Sequence, residues 1–263
     1  MIKCHFIIDK TNNNIKVKKI FLRKYKNYNL KSCNVFVVLG GDGFMLKVLK
    51  KYQNYYKPFY GINTGTYGFL MNKFKTSGLN KSIADSKVVT ISPLEMNAIT
   101  RKEKRVSAIA INEISLLRQS RQTASLRILN KKNIIIKKLI SDGVLISTPA
   151  GSTAYNSSVN GPILFLNSKK LAITPISPFR PRGWRGKVVS FNSIINVKNL
   201  NIKKRSLSVV ADNIEVRNVK SVKIKINNKI KIKLLHDKNN SLSKKIKLEQ
   251  YRRNLKKWDK ILT

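Results

Sequence analysis

Apolar residues in the first third of the chain gather in short unbroken runs, separated by stretches rich in lysine and asparagine. His5 to Ile8 predicts a short strand, Ile15 to Tyr28 a basic helix, and Val35 to Leu39 a strand that is apolar at every position. A strand without alternation suits a sheet covered on both faces, as in a parallel α/β arrangement. From Phe44 to Tyr52 apolar positions are too dense for a strand, and a helix is predicted to open. Pro58 to Ile62 predicts a third strand that ends at Asn63.

After Ser92-Pro93 the pattern becomes β-rich. Strands are predicted at Val106 to Ile111, Ile114 to Leu117, Leu126 to Leu129, Ile134 to Ile140, Val144 to Ser147, Val188 to Phe191 and Leu207 to Val210, with turn residues at short intervals. Strict alternation at Val222 to Ile226 and Ile230 to Leu234 predicts two further strands with lysine on the wet face. The tail from Ser241 to Leu262 is charged and compatible with a helix. The expected architecture is an α/β domain with a Rossmann-like parallel sheet over residues 1–95, then a β-rich domain over residues 96–240.

No run approaches the roughly 20 apolar residues that cross a bilayer, and the first residues lack the pattern of a secretory signal. A soluble cytoplasmic protein with no membrane partner is therefore expected. Cys4 and Cys33 are the only cysteines and His5 and His236 the only histidines, too few for a disulfide framework or a Cys/His zinc cage. Hydrolysis through a Ser/His/Asp triad is poorly supported for the same reason.

The formal charge of +42, from 54 basic and 12 acidic residues, would ordinarily point to a polyanionic partner. Lysine, asparagine and isoleucine are over-represented together along the whole chain, as an AT-rich genome writes wherever a surface position is indifferent. No zinc-ligand pairs and no aromatic RNA-binding signature accompany the charge. We therefore expect no dedicated nucleic-acid partner. A basic non-enzymatic nucleic-acid binder is the alternative from a different class, and it would show a steep salt dependence.

Against this background the stretch LGGDGFML (Leu39 to Leu46) places one acid among three glycines at a strand end, where ligands bind in parallel α/β sheets. Glycines can take positive φ and admit a phosphate close to the backbone, and the next helix offers free amides to an anion. Neither G-x-x-x-x-G-K-[ST] nor G-x-G-x-x-G is present. An acid facing phosphates is repelled by them, so Asp42 needs a task. It either takes a proton from an attacking hydroxyl or helps hold Mg²⁺, and both belong to phosphoryl transfer.

Three more polar turns extend the pattern. GINTGTYGFL (Gly61 to Leu70) repeats the glycine-rich logic around Asn63. INEISLL (Ile111 to Leu117) sets Asn112 and Glu113 between apolar runs, where they can bond sugar hydroxyls. SDGVLISTPAGSTAY (Ser141 to Tyr155) supplies Asp142 in a DG turn and then a loop dense in hydroxyls. Together they describe a ligand rich in phosphate and hydroxyl groups.

These motifs resemble the ATP- or polyphosphate-dependent NAD kinase family. The residues that carry the resemblance are GGDG (Gly40 to Gly43), NTGTYGFL (Asn63 to Leu70), the pair Asn112 and Glu113, DGVLISTPAGSTAYNSSVNGPI (Asp142 to Ile163) and the Ile173 to Pro178 stretch. They are collinear over about residues 35 to 215. The resemblance implies an N-terminal α/β domain, a β-rich NAD-binding domain and a last segment, residues 241–263, that packs back on the first. It implies transfer of the γ-phosphoryl group of ATP, or of polyphosphate, to the 2′-hydroxyl of the adenosine ribose of NAD.

By the same resemblance Asp42 is the catalytic base and Asp42-Gly43 touch the dinucleotide. Lys47 reaches a phosphate, and Asn112 and Glu113 grip ribose hydroxyls. Asp142 meets the second nucleoside half, while Thr153, Ala154, Tyr155, Asn156, Ser157 and Ser158 line the adenine side. NAD and ATP are the expected substrates, Mg²⁺ the expected divalent cation, and a homo-oligomer the expected assembly. Ala150 stands where many members carry threonine. Val209 to Asn213 (VVADN) departs from the family's ADG, which bears on Asp212 or Asn213 as a ligand contact. Tyr67 replaces a smaller residue. Lipid and sphingoid kinases share a GGDG-type loop, and the Asn112-Glu113 pair together with the STPAGSTAY loop separates the chain from them.

Overall fold

The strand Val35–Gly40 is buried at every position because it serves two cores. The structure, a computed structural model, describes residues 1–65, 68–238, 244–249 and 251, with the backbone alone at residues 12–14. Tyr67 and most of the predicted C-terminal helix lie outside the described residues. Two units form: Met1–Ile91 with Ile230–Tyr251, and Ser92–Lys229.

The first unit runs β1 (Cys4–Ile8), α1 (Asn12–Lys24), β2 (Val35–Gly40), α2 (Asp42–Tyr52), β3 (Phe59–Asn63), α3 (Leu79–Ala84) and β4 (Lys87–Ile91). β1, β2 and β3 pair in parallel, with Cys4 opposite Val35 and Phe36 opposite Phe59. Val35, Val37 and Leu39 join one core with Phe21 of α1 and with Leu79 and Ile83 of α3. Phe36 points the other way, against the rings of Tyr52, Tyr55 and Phe59. Alternate residues of one strand thus face opposite helical layers, which is why the run has no polar position. Cys4 and Cys33 are free and buried, and burial pushes the Cys4 thiol up to about 11, so it carries no reactive thiolate.

The second unit is a stack of two antiparallel sheets. Its strands are β5 (Leu94–Thr100), β6 (Arg105–Ala110), β7 (Glu113–Arg118), β8 (Ala124–Asn130), β9 (Asn133–Ser141), β10 (Gly143–Ser147), β11 (Lys170–Ile176), β12 (Lys187–Ser190), β13 (Ile195–Asn199), β14 (Leu207–Ala211), β15 (Ile214–Val216) and β16 (Val219–Ile226), with a short helix α4 (Tyr155–Ser158). One sheet has the order β12-β11-β10-β7-β14-β15 and the other β6-β5-β16-β13-β8-β9. A single core joins Ile114, Leu116, Val144, Ile146 and Ile173 of the first to Met96, Leu126, Ile128, Val197 and Ile224 of the second. In β16 the apolar residues Val222, Ile224 and Ile226 are buried while Lys220 and Lys223 are exposed. The lysines there occupy the wet face of an ordinary half-buried strand.

The chain returns to the first unit at Ile230, earlier than the division at residue 240 expected from the sequence. β17 (Ile232–His236) pairs in parallel with β3 and antiparallel with β4, completing a sheet of order β1-β2-β3-β17-β4. Alternation identifies a strand with one wet face but not the sheet that takes it up. Residues 244–249 are helical and belong to the same unit.

Candidate active site

In the first unit β2 ends at Gly40 and α2 begins at Asp42, so the strand-to-helix turn is Gly40-Gly41. The glycines do not serve positive φ as expected. Gly41 has φ −107°, and among the described residues positive-φ glycines are Gly78, Gly183 and Gly186. Gly40 is required by packing, since a Cβ there would lie 2.8 Å from the ring of Phe44. Gly41 and Gly43 have nothing within 4 Å of such a Cβ, which leaves open room on both sides of Asp42. No side chain caps the helix, so its first amides stay available to an anion.

Asp42 is half-buried and its carboxylate is fixed from across the turn. Phe69 N donates to Oδ2 at 2.6 Å and Leu70 N to Oδ1 at 2.9 Å. Burial raises its pKa, while these two amides and the Lys245 ammonium pull it back down. Lys47 is exposed one turn further along α2. Asn63 closes the neighbouring turn by accepting from Gly65 N at 3.1 Å.

In the second unit the Asn112-Glu113 pair opens β7. The Asp212 carboxylate accepts from Ile111 N at 2.8 Å, Asn112 N at 3.0 Å and Glu113 N at 3.4 Å. Thr148 Oγ1 donates to the carbonyls of Ile111 and Asn112 and accepts from Gly151 N at 3.0 Å. The backbone of the pair is thereby pinned on both sides. Two of its side-chain acceptors, Asn112 Oδ1 and Glu113 Oε2, are buried and have no partner among the described residues. Such atoms each cost about 1–3 kcal/mol, and a ligand hydroxyl would answer them.

The ATP-NAD kinase N-terminal domain family matches residues 6–85, and the ATP-NAD kinase C-terminal domain family matches residues 111–233. The chain belongs to the NAD kinase family. It is 42% identical over 248 residues to the NAD kinase of Brucella suis biovar 1 (94% of this chain, 96% of that one). It is 45% identical over 229 residues to the NAD kinase of Mesorhizobium japonicum (87% and 89%). In fold it is similar to yeast NADH kinase complexed with NADH, with TM-score 0.77, 18% identity and 94% and 86% of the two chains covered. An NAD kinase from Archaeoglobus fulgidus in complex with ATP gives TM-score 0.72, 22% identity and 91% and 95% covered.

Within the NAD kinase frame the residues singled out from sequence divide by place. Ala150 is buried, Thr153, Ala154 and Ser157 are half-buried, and Tyr155, Ser158 and Asn213 are exposed. Asn156 is fully buried and spends its amide inside the protein. Its Nδ2 donates to the carbonyls of Ser152 and Pro162, and its Oδ1 accepts from Thr174 Oγ1 at 2.7 Å. Asn156 therefore shapes the STPAGSTAY loop from beneath. Asp142 is paired with Arg118 Nε at 2.5 Å. It stands at the opposite end of β7 from Glu113, because Gly143 pairs with Leu117 and Ser147 with Glu113, which puts Asp142 level with Arg118, roughly 17 Å along the strand from Glu113.

Asp212, singled out from sequence with Asn213 as a ligand contact, turns its carboxylate to the backbone amides of Ile111, Asn112 and Glu113 instead. It sits at positive φ, 52°, between β14 and β15, and reaches residues about a hundred positions away. Nothing in the VVADN stretch itself signals that supporting role. Its charge acts on Glu113, which burial first and Asp212 second push up to about 8. A carboxyl whose folded pKa lies above its usual 4.5 binds more protons folded than unfolded. Its contribution to stability is full below that usual value and is lost as pH rises through about 8. Thermal melts from pH 5 to 9 are expected to show stability falling across this window in the wild type, with the slope reduced in Glu113→Gln. An unchanged slope would contradict the placement of Glu113.

Proposed function

We propose that this chain transfers the γ-phosphoryl group of ATP to the 2′-hydroxyl of the adenosine ribose of NAD, giving NADP and ADP. The observation that carries the reading is Asp42, a carboxylate oriented by two amides at an uncapped helix N-terminus with open room beside it. In the reaction the 2′-oxygen bonds to the γ-phosphorus as the bond from that phosphorus to the β,γ-bridging oxygen breaks. The hydroxyl proton passes to Asp42, and the bridging electrons leave with ADP. Each Asp42 oxygen holds one amide and keeps a lone pair for that proton. The first amides of α2 suit phosphate oxygens, and Lys47 supplies a cation one turn away.

Asn112 and Glu113 hold ribose hydroxyls in this reading. Thr153, Ala154, Tyr155, Ser157 and Ser158 contact the adenine side, with Asn156 and Ala150 in support. Asp142 meets the second nucleoside, and Gly43 and Asn213 complete the contacts. Mg²⁺ belongs to the same proposal. Among the described residues no three His, Cys, Asp or Glu side chains converge, so the protein donor set does not make a cage of its own. The cation fits as one carried by the phosphates of the donor, whose charge it neutralises. Cytoplasmic location rests on the sequence pattern described above, and a homo-oligomeric assembly on the resemblance. No helix among the described residues is long and apolar enough to cross a membrane.

The test is NADP formation by the purified chain, with NAD or NADH as acceptor and ATP or polyphosphate as donor in the presence of Mg²⁺. NADP is expected with NAD and ATP. Absence of NADP or NADPH with every pair, or transfer to a sphingoid base instead, would overturn the reading.

A further inference from the structure

The helical stretch 244–249 is anchored in the first unit by Ile246, which is fully buried. Next to it, Lys245 Nζ donates to three backbone carbonyls: Gly68 O at 2.8 Å, Phe69 O at 2.9 Å and Met71 O at 2.6 Å. An ammonium has three donors and no acceptor, so this tripod uses all of them. Two of the three carbonyls belong to the peptide groups whose N–H bonds hold Asp42. The peptide from Gly68 to Phe69 places its carbonyl on Lys245 and its N–H on Asp42 Oδ2, and the peptide from Phe69 to Leu70 places its carbonyl on Lys245 and its N–H on Asp42 Oδ1. Two consecutive peptide groups therefore lie in parallel between one ammonium and one carboxylate.

We propose that Lys245 is a positioning residue for Asp42: it grips the carbonyl side of these two peptide groups, fixes where their amides hold the carboxylate, and polarises those amides towards it. The proposal rests on the reading of Asp42 as the base. A cation on a peptide oxygen makes the N–H of the same peptide a better donor, and hydrogen bonds in such a chain strengthen one another by about 10–30% each. The loop needs an outside clamp because its own side chains cannot supply one at Gly68. A Cβ there would lie 2.9 Å from Asn63 Cγ and 2.9 Å from Met71 Cβ, so that position stays bare and the loop is held by hydrogen bonds.

Asp42 is faced by the Lys245 ammonium together with the two amides. Lys245 has its pKa lowered by burial, raised by Asp42 and Asp237, and lowered by Lys73. Asp237 in turn accepts from the Tyr60 hydroxyl at 2.6 Å and lies 3.9 Å from Lys75. His236 is held neutral, its pKa brought down to about 4 by burial and then by Lys245. The ionisable groups that act on the clamp are thus Asp42, Asp237 and Lys73.

The experiment uses Lys245→Met and Lys245→Arg in the full chain with two readouts. One is the acid limb of kcat for NADP formation, and the other is the titration of the Asp42 carboxyl carbon followed by NMR without substrates. Lys245→Met is expected to move both upward by about one pH unit, to lower kcat at neutral pH about tenfold, and to leave the KM for NAD within about twofold. Lys245→Arg keeps the charge but offers a planar fork in place of a tripod. It is expected to hold the titration near the wild type and to recover part of kcat. An Asp42 titration and acid limb unchanged in Lys245→Met, whatever its melting temperature, would overturn the proposal. Should Lys245→Met fail to fold, Lys245→Gln removes the charge while keeping two donors, and the same shift is required of it. A wild type that forms no NADP would sink the functional reading instead, and the carboxyl titration would still decide the action of Lys245 on Asp42.

Discussion

Asp42→Asn is expected to lower kcat for NADP formation by about a hundred- to ten-thousand-fold, the range associated with a positioned general base. The amide cannot take the hydroxyl proton. It also turns an NH₂ group towards one of the two amides that the carboxylate now answers, Phe69 N or Leu70 N. A buried donor left unanswered costs about 1–3 kcal/mol, so a modest drop in melting temperature should accompany the loss of rate. The pH profile separates the two effects. Burial raises the pKa of Asp42, so the wild-type rate should fall, as pH is lowered, from above the ordinary carboxylate range. Asp42→Asn should lack that limb. Comparable kcat values in the two proteins would remove Asp42 from the role of base.

Gly151→Ala is expected to destabilise the second unit and to raise the KM for NAD by more than about tenfold. A Cβ at this position would lie 2.2 Å from Asn112 O and 2.4 Å from its C and Cα atoms. All three are backbone atoms and cannot swing aside as a side chain would. Residues 148–151 are bonded through Thr148 to the carbonyls of Ile111 and Asn112, so relief of the clash must displace the pair that presents Asn112 Oδ1 and Glu113 Oε2. We expect a loss on the order of 3 kcal/mol, at the upper end for overpacking. Melting temperature and KM measured together test this, and wild-type values of both would contradict the close approach.

The parts of the fold that were legible in the sequence are those governed by local pattern. A run such as Val35 to Leu39 announces a strand between two layers, and the alternation of Val222 to Ile226 announces one wet face. The partner of a strand was not legible. Ile232–His236 joins the first sheet because the chain doubles back, and nothing in its own residues says so. The strand Lys170–Ile176 was not predicted, and only Ile173 to Pro178 drew notice, as part of the resemblance; Pro175 argues against a strand interior. Its neighbour Lys187–Ser190 pairs with it only as far as Ile173, short of the proline.

The candidate site divides along the same line. Asp42, Asn112 and Glu113 stood out because an acid among glycines, or a polar pair between apolar runs, is locally improbable. The holding roles of the residues around them were not visible in the same way. Asp212 acts across about a hundred residues from a hairpin turn of ordinary composition. Lys245 is one of 54 basic residues, and only its three carbonyl partners distinguish it. The three glycines were noticed for positive φ and for close approach of a phosphate; the first is not found at them, while the open room at Gly41 and Gly43 suits the second.

The position of the transferred phosphate decides whether this chain carries out the proposed reaction. The purified chain is incubated with NAD, ATP and Mg²⁺, and the product is examined by ³¹P and ¹H NMR. One new phosphomonoester on the 2′-carbon of the adenosine ribose, formed in step with ADP and nearly absent with Asp42→Asn, is the predicted result. ADP formed without any phosphate on the dinucleotide, or a phosphate on another hydroxyl, would contradict it.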